Sequence, residues 1–229
     1  MSHNKKKAKE ANLAYVLVHL PTDQSYHFAL AKSLEPAVKL MPDEGRVEYL
    51  YMGYKNIVGA RNMAVKRALD GNFTHLMFLD SDMEFAPATL ARLLQHNKDI
   101  VGGLYMRKMY PHIPLCFSRG EKRGEDTYDL HPFMPPRRLT ECESIATGCM
   151  LVNTNVFKQM SPPWFLYEQS WNDPLTTTTE DITFCRHARA KGIQIYVDGS
   201  LHAVHIGDCR IMPNFTNTNV TVETFGGNR

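Results

Sequence analysis

Two aspartates one residue apart, Asp80 and Asp82, follow directly on the apolar run His75–Leu79, with Ser81 between them. A carboxylate pair where a chain leaves a sheet can hold a divalent cation and a sugar or ribose hydroxyl. Hard oxygen donors suit Mg²⁺ or Mn²⁺, and such an ion can bridge a diphosphate. The same tripeptide also reads as an acidic turn that caps the next helix. Glu180-Asp181 is a second candidate, opening a helical pattern after the threonines Thr176–Thr179. A carboxylate there can take a proton from a hydroxyl nucleophile, or can simply complement the positive end of the helix. His205, in His205-Ile206-Gly207, follows an apolar strand; imidazole is a good Mn²⁺ ligand and a poorer Mg²⁺ one. His202 is its nearby competitor. Arg61-Asn62 begins a helical pattern and reads either as a phosphate or base contact or as a solvated first turn.

These residues need a frame, and the hydrophobic pattern supplies one. Leu13–Leu20, Val47–Met52, His75–Leu79 and Ile100–Tyr105 read as short buried strands. Between them, Ala60–Leu69 and Pro87–His96 carry apolar residues at helical spacing, as does Phe28–Leu40 around Pro36. Gly71 stands where the helix from Ala60 should stop. Alternating strands and helices predict an α/β sheet with largely parallel strands. Tyr110–Arg138 breaks the pattern with five prolines among many charges, and reads as a functional loop or lid. Order resumes at Glu143–Asn153, a strand interrupted by Gly148. Trp164, Phe165, Tyr167 and Trp171 form an aromatic loop. Glu180–Lys191 is a helix closed by Gly192, and Ile193–Val197 and Leu201–Ile206 are strands.

Composition narrows the classes. The 229 residues are 43% hydrophobic and 22% charged, an ordinary globular balance that excludes disordered and low-complexity chains. A formal charge of +2 gives no nucleic-acid footprint by charge alone. No apolar run is long enough to span a bilayer. The lysine-rich start has no apolar core ending at a cleavage site, so a solvated tail on a cytoplasmic protein is expected. The five cysteines, Cys116, Cys142, Cys149, Cys185 and Cys209, are odd in number and form no C-x-x-C pair. Neither a disulfide framework nor a structural zinc site is expected.

Taken in order, the pieces resemble the GT-A-fold glycosyltransferases, in particular the family-2-like group. The stretches GARNMAVKRAL, HLMFLDSDMEFAPATLARLL, DIVGGLYMRK, ATGCMLVNTNVF and TEDITFCRHARAKGIQIYVDGSLHAVHIG carry the likeness. The resemblance implies an α/β, Rossmann-like GT-A fold with a mostly parallel central sheet flanked by helices. It implies a hexosyltransferase-like enzyme using Mn²⁺ or Mg²⁺ and a nucleoside-diphosphate sugar, with UDP-sugars first in line. Asp82 matches the usual metal ligand and Asp80 the ligand nearer the nucleotide-sugar. His205 matches the late histidine that completes the metal site. Asp181 matches the catalytic base of inverting members, with Glu180 beside it as the alternative. Arg61, with Asn62, Ser81 and the first strand's end at Pro21 and Thr22, matches the donor side. Many family members read uracil with an aspartate after the second strand; Met52-Gly53-Tyr54 stand there in this chain. Processive motifs and membrane helices are absent, which fits a soluble enzyme adding one sugar.

The expected layout is a basic tail over 1–12, one domain over 13–212 and a flexible tail over 213–229. Within the domain, 13–109 form the nucleotide-sugar half, 110–138 the irregular loop and 139–212 the acceptor half. Trp164 and Trp171 are candidate stacking platforms for a sugar or a base. The acceptor is a hydroxyl on a glycan, a small molecule or DNA bearing hydroxylated bases; the basic residues of 107–138 motivate the last. Two rivals remain at this stage. A nucleotidyltransferase would share the sheet, but Val16–Gln24 lacks its Gly-rich phosphate loop. A non-catalytic sugar- or nucleotide-binding module would need no base.

Overall fold

A computed structural model of the chain describes residues 15–21, 46–52, 56–122, 128–169, 177–207, 209–214 and 219–224. The expected helix Phe28–Leu40, Thr22, Trp171 and the tail 1–12 lie outside these residues. The first half runs β1 (Tyr15–Pro21), β2 (Arg46–Met52), α1 (Ile57–Asp70), β3 (His75–Leu79), β4 (Met83–Glu84), α2 (Thr89–Gln95) and β5 (Ile100–Leu104). Then follow β6 (Cys116–Lys122), β7 (Tyr128–Pro132), β8 (Leu139–Cys142), β9 (Ser144–Ile145), β10 (Cys149–Asn153) and α3 (Thr154–Lys158). The remainder is β11 (Glu168–Gln169), β12 (Thr177–Thr178), α4 (Glu180–Ala190), β13 (Ile195–His202), β14 (Val204–Ile206), β15 (Cys209–Asn214) and β16 (Asn219–Thr224).

The helix ends follow local chemistry. Asn56 caps α1 by accepting the Val58 N–H at 3.0 Å. Gly71 closes it as expected, but the left-handed residue there is Asn72, at φ 55°. After α4, Gly192 adopts φ 78°, where a side chain would be strained.

The central sheet has seven strands in the order β2-β1-β3-β10-β5-β13-β8. It is mixed, which corrects the mostly parallel expectation. β1 pairs parallel with β2 and β3, and β13 with β5; β10 runs antiparallel to both its neighbours, and β8 to β13. The reversal follows from the route of the chain. After β5 it gives β6 and β7 to a separate three-stranded sheet, β7-β6-β9, sets β8 on the edge of the central sheet beside β13, and after β9 re-enters between β3 and β5 from the opposite end.

Period-2 alternation splits the core across the sheet. Leu76 and Phe78 of β3 face one layer with Ala64, Val65 and Ala68 of α1, Phe157 of α3 and Phe184 of α4. Met77 and Leu79 face the other, with Leu90 and Leu93 of α2. Cys116, Cys142, Cys149 and Cys185 are free and buried. Burial pushes the Cys149 and Cys185 thiols up to about 12, so they behave as small hydrophobes.

Two segments are more regular than their composition suggests. The stretch 110–138 contains β6 and β7, paired antiparallel, with mostly charged or half-exposed side chains. The segment from Pro213 contributes to β15 and β16, which extend the sheet β16-β15-β14-β4. Both are sheet margins, where little burial leaves little hydrophobic pattern to read.

One buried charge holds the α2 layer to β13. Asp198 is fully buried; Arg92 Nε and His96 Nε2 each lie 2.8 Å from its Oδ2, and the Ser200 N–H donates to its Oδ1 at 2.9 Å. Burial alone would raise this carboxyl, but Ser200 and His96 hold it below its usual value. A carboxyl depressed by folding contributes stability above its unfolded pKa and loses it as pH falls through the folded one. Asp198→Asn is therefore expected to cost about 3 kcal/mol at neutral pH, the low end for a buried pair because Arg92 is partly exposed. Urea unfolding at neutral pH and at about pH 3 should show the gap between variant and wild type narrowing in acid.

Candidate active site

The buried strand β3 carries Asp80 to the edge of the core, where its N–H donates to the Gly148 carbonyl at 3.2 Å. The chain then turns through Ser81 and Asp82 into β4. β4 pairs antiparallel with β14, setting Met83 opposite His205, and the Ile206 N–H donates to the Asp82 carbonyl at 2.8 Å. This short ladder brings His205 to Asp82 from far along the chain. His205 Nε2 lies 3.3 Å from Asp82 Oδ2, and its Nδ1 lies 2.9 Å from the Met106 carbonyl. A carbonyl only accepts, so Nδ1 carries a proton; Nε2 faces the carboxylate and donates to it when the ring is protonated. Lys108 Nζ reaches the same Oδ2 at 3.0 Å. Burial would raise the Asp82 carboxyl, but the hydrogen bonds from His205 and Lys108 bring it down to about 2. Burial would lower the His205 imidazole, but Asp82 and the Met106 carbonyl raise it on balance.

Asp82 and His205 fit a divalent cation by the chemistry of their donors. A carboxylate oxygen and an imidazole nitrogen converge, and a backbone carbonyl orients the ring. Among the described residues no group of three His, Cys, Asp or Glu side chains is placed to hold an ion alone. The expected trio of Asp80, Asp82 and His205 is thus not assembled. Asp80 turns its Oδ1 toward Arg61 Nη2, at 3.3 Å.

Arg61 is the hub beside this pair. It projects from α1, is buried, and forms ion pairs with Asp80 and with Glu180 at the start of α4. Burial works against its charge, but Asp80, Glu180 and Asp181 together raise its pKa. Burial raises both the Asp80 and Glu180 carboxyls, with Arg61 pulling the other way. Asp181 is only half-buried; its Oδ1 accepts the Ile182 N–H at 2.9 Å and the Thr179 hydroxyl. The two acids of the α4 start therefore part company. Glu180 is ion-paired to the arginine, while Asp181 bonds to the start of its own helix.

The sequence profile of glycosyl transferase family 2 matches residues 31–112, a span that includes Arg61, Asp80 and Asp82. Over that span, about a third of the chain, the sequence is similar to the glycosyl transferase family 2 domain. Its fold resembles that of the crystal structure of A197 from STIV, with a TM-score of 0.60 and 17% identity over 94% of this chain and 97% of that chain. A weaker likeness has a TM-score of 0.37 and 13% identity, over 65% of this chain and 59% of that one. It is to the crystal structure of mannose-1-phosphate geranyltransferase from Thermus thermophilus. No curated protein sequence matches significantly. Among the described residues, no helix is long and apolar enough to cross a membrane.

The profile match ends before Glu180, Asp181 and His205; the fold brings these residues to the matched half. Other expected site residues have structural duties. Asn62 donates to the Val58 and Phe165 carbonyls at 2.9 and 2.7 Å, and accepts from the Trp164 and Phe165 N–H groups at 2.8 and 3.1 Å. Its amide is spent on clamping the aromatic loop. Trp164 donates its indole N–H to the Phe157 carbonyl at 2.9 Å and packs edge-on to Phe157, so its ring belongs to the core margin. Phe165 is buried between Phe78 and Phe184. Ser81 lies in the turn, and Pro21 ends β1 opposite Met52.

Four contributors were not singled out by sequence reasoning. Tyr105, just past β5, accepts the Gly148 N–H on its hydroxyl at 2.8 Å and packs edge-on to His205. Gly148 was noted only as an interruption. A Cβ there would lie 2.5 Å from the Tyr105 hydroxyl and 3.0 Å from Asp80 Oδ2, so only glycine fits. Tyr167 is half-exposed beside Glu180, and Lys108 was one of many basic residues. A tyrosine and a lysine just beyond a buried strand were the only local signal.

Proposed function

We propose that the protein transfers a glycosyl group from a nucleoside-diphosphate sugar to an acceptor hydroxyl, with inversion and with Mn²⁺ or Mg²⁺. The observation that carries this reading is the division of acids. Asp82 meets His205 and Glu180 pairs with Arg61, while the Asp181 carboxylate makes no ion pair with Arg61 and accepts from the Ile182 N–H and the Thr179 hydroxyl. Asp82 and His205 would hold the cation, leaving positions for diphosphate oxygens and water. When bound, the ion supplies Lewis-acid stabilisation of the leaving diphosphate. Asp181 would accept the acceptor's proton as its oxygen attacks the anomeric carbon and the bond to the diphosphate breaks.

The acceptor's place is supported by a cavity of about 480 Å³ beside α4. It is lined by Arg119, Tyr128 and Asp129 of the 110–138 segment and by Thr178, Ile182 and Arg186 around α4. Asp181 does not itself line the cavity; its sequence neighbours Thr178 and Ile182 do. The cavity's size suits a sugar or another small ligand.

A screen of nucleotide sugars with Mn²⁺ tests the reaction. Free nucleoside diphosphate should appear, and the product's anomeric configuration should be opposite to the donor's. Retention of configuration would overturn the base assignment, and no release from any donor would overturn the donor class. For the metal, Asp82→Ala and His205→Ala should each weaken Mn²⁺ binding at least about tenfold, since even loss of an outer partner costs that much. Full activity in excess chelator would overturn the metal assignment.

A further inference from the structure

Lys108 is placed for a role that the division of acids does not use. Its Nζ lies 3.0 Å from Asp82 Oδ2, the same oxygen that faces His205 Nε2. The stem passes over Gly207, just after β14. A Cβ at Gly207 would come within 2.4 Å of Lys108 Cε, so the glycine keeps this path open. The neighbouring Arg107 is engaged elsewhere, its Nε donating to the Met109 and Pro111 carbonyls. Lys108 alone of this basic pair points into the site, and its side chain remains 41% exposed.

We propose that Lys108 is an exchangeable cation, holding Asp82 when no donor is bound and turning to the donor's diphosphate when Asp82 is given over to a metal ion. This rests on the reading of Asp82 and His205 as metal ligands. An ammonium and a divalent cation on one carboxylate oxygen repel each other. The lysine has a flexible stem and strong attraction to phosphate, so it is the partner that moves. Donor and metal then bind with positive coupling, because each relieves the other's competitor.

The test uses Lys108→Met, which keeps the stem and removes the charge, and Lys108→Arg, which keeps the charge. Mn²⁺ binding to the free protein is followed by electron paramagnetic resonance, and inorganic pyrophosphate binding in EDTA by calorimetry. Lys108→Met should bind Mn²⁺ about fivefold tighter and pyrophosphate about fivefold more weakly, the scale of one partly exposed ion pair. Lys108→Arg should stay near wild type for pyrophosphate. Unchanged Mn²⁺ affinity or unchanged pyrophosphate affinity in Lys108→Met overturns the exchange. Asp82→Ala separates the two levels of the argument. If it binds Mn²⁺ as wild type does, the metal assignment falls and the exchange with it; if it loses Mn²⁺ while Lys108→Met changes nothing, only the exchange falls.

Discussion

An Asp181→Asn enzyme is expected to bind donor nearly as wild type does and to turn over about 10²–10⁴-fold more slowly, the usual contribution of a general base. The substitution keeps the shape of the side chain and most of its local bonding. Oδ1 accepts from the Ile182 N–H and the Thr179 hydroxyl, and an amide oxygen can accept both. What is lost is the charge that takes a proton. Glu180 is the competing base, and its surroundings argue against it: the side chain is buried and ion-paired to Arg61. A carboxylate so held gives up that pair if it accepts a proton. Glu180→Gln should accordingly disturb folding and the placement of Arg61, with less effect on the proton-transfer step than Asp181→Asn. Single-turnover kinetics with saturating donor separate the two. Near-normal turnover in Asp181→Asn would sink the assignment.

The placement of Asp80 and Asp82 was legible in the sequence because its signals are local. His75–Leu79 is wholly apolar after its first residue and ends in acids, so both the strand and the exit of Asp80 and Asp82 could be read directly. The same holds for α4, with acids in its first turn and Gly192 after its end. Strand direction was not legible, because the apolar pattern of Cys149–Asn153 is the same whichever way the strand enters the sheet. β6 and β7 were hidden by their charge, being margins with little to bury. The duties of Arg61 and Asn62 were hidden for a different reason. Their residue types suit a phosphate or a substrate as well as they suit Glu180 or the Phe165 backbone, and only tertiary placement decides. His205 lies between these cases. Its type and its strand were readable, while its partner follows from the two-residue ladder with β4.

That ambiguity makes Arg61 the site of the largest expected stability effect. Arg61→Met should lower stability by about 3–5 kcal/mol, because it strands Asp80 and Glu180 without their shared partner. For a chain of this length the melting temperature should fall by roughly 6–20 °C. The pH dependence carries a sign. Burial already raises both carboxyls, and removing the guanidinium raises them further. An acid whose folded pKa exceeds its unfolded value costs stability as pH rises through that interval. The variant's deficit should therefore be greatest near neutral pH and should shrink in mild acid, where the two carboxyls protonate. Adding Glu180→Gln to Arg61→Met should recover part of the loss at neutral pH, since it removes one stranded charge. Thermal melting of wild type, single and double variants across mild acid and neutral pH measures all of this. A melting temperature unchanged in Arg61→Met, together with weakened donor affinity, would instead mean that Arg61 contributes to the donor contact and little to the fold. The buried contacts with Asp80 and Glu180 argue for a loss of stability: the arginine joins α1 to the start of α4 and holds Glu180 in an ion pair that Asp181 does not share.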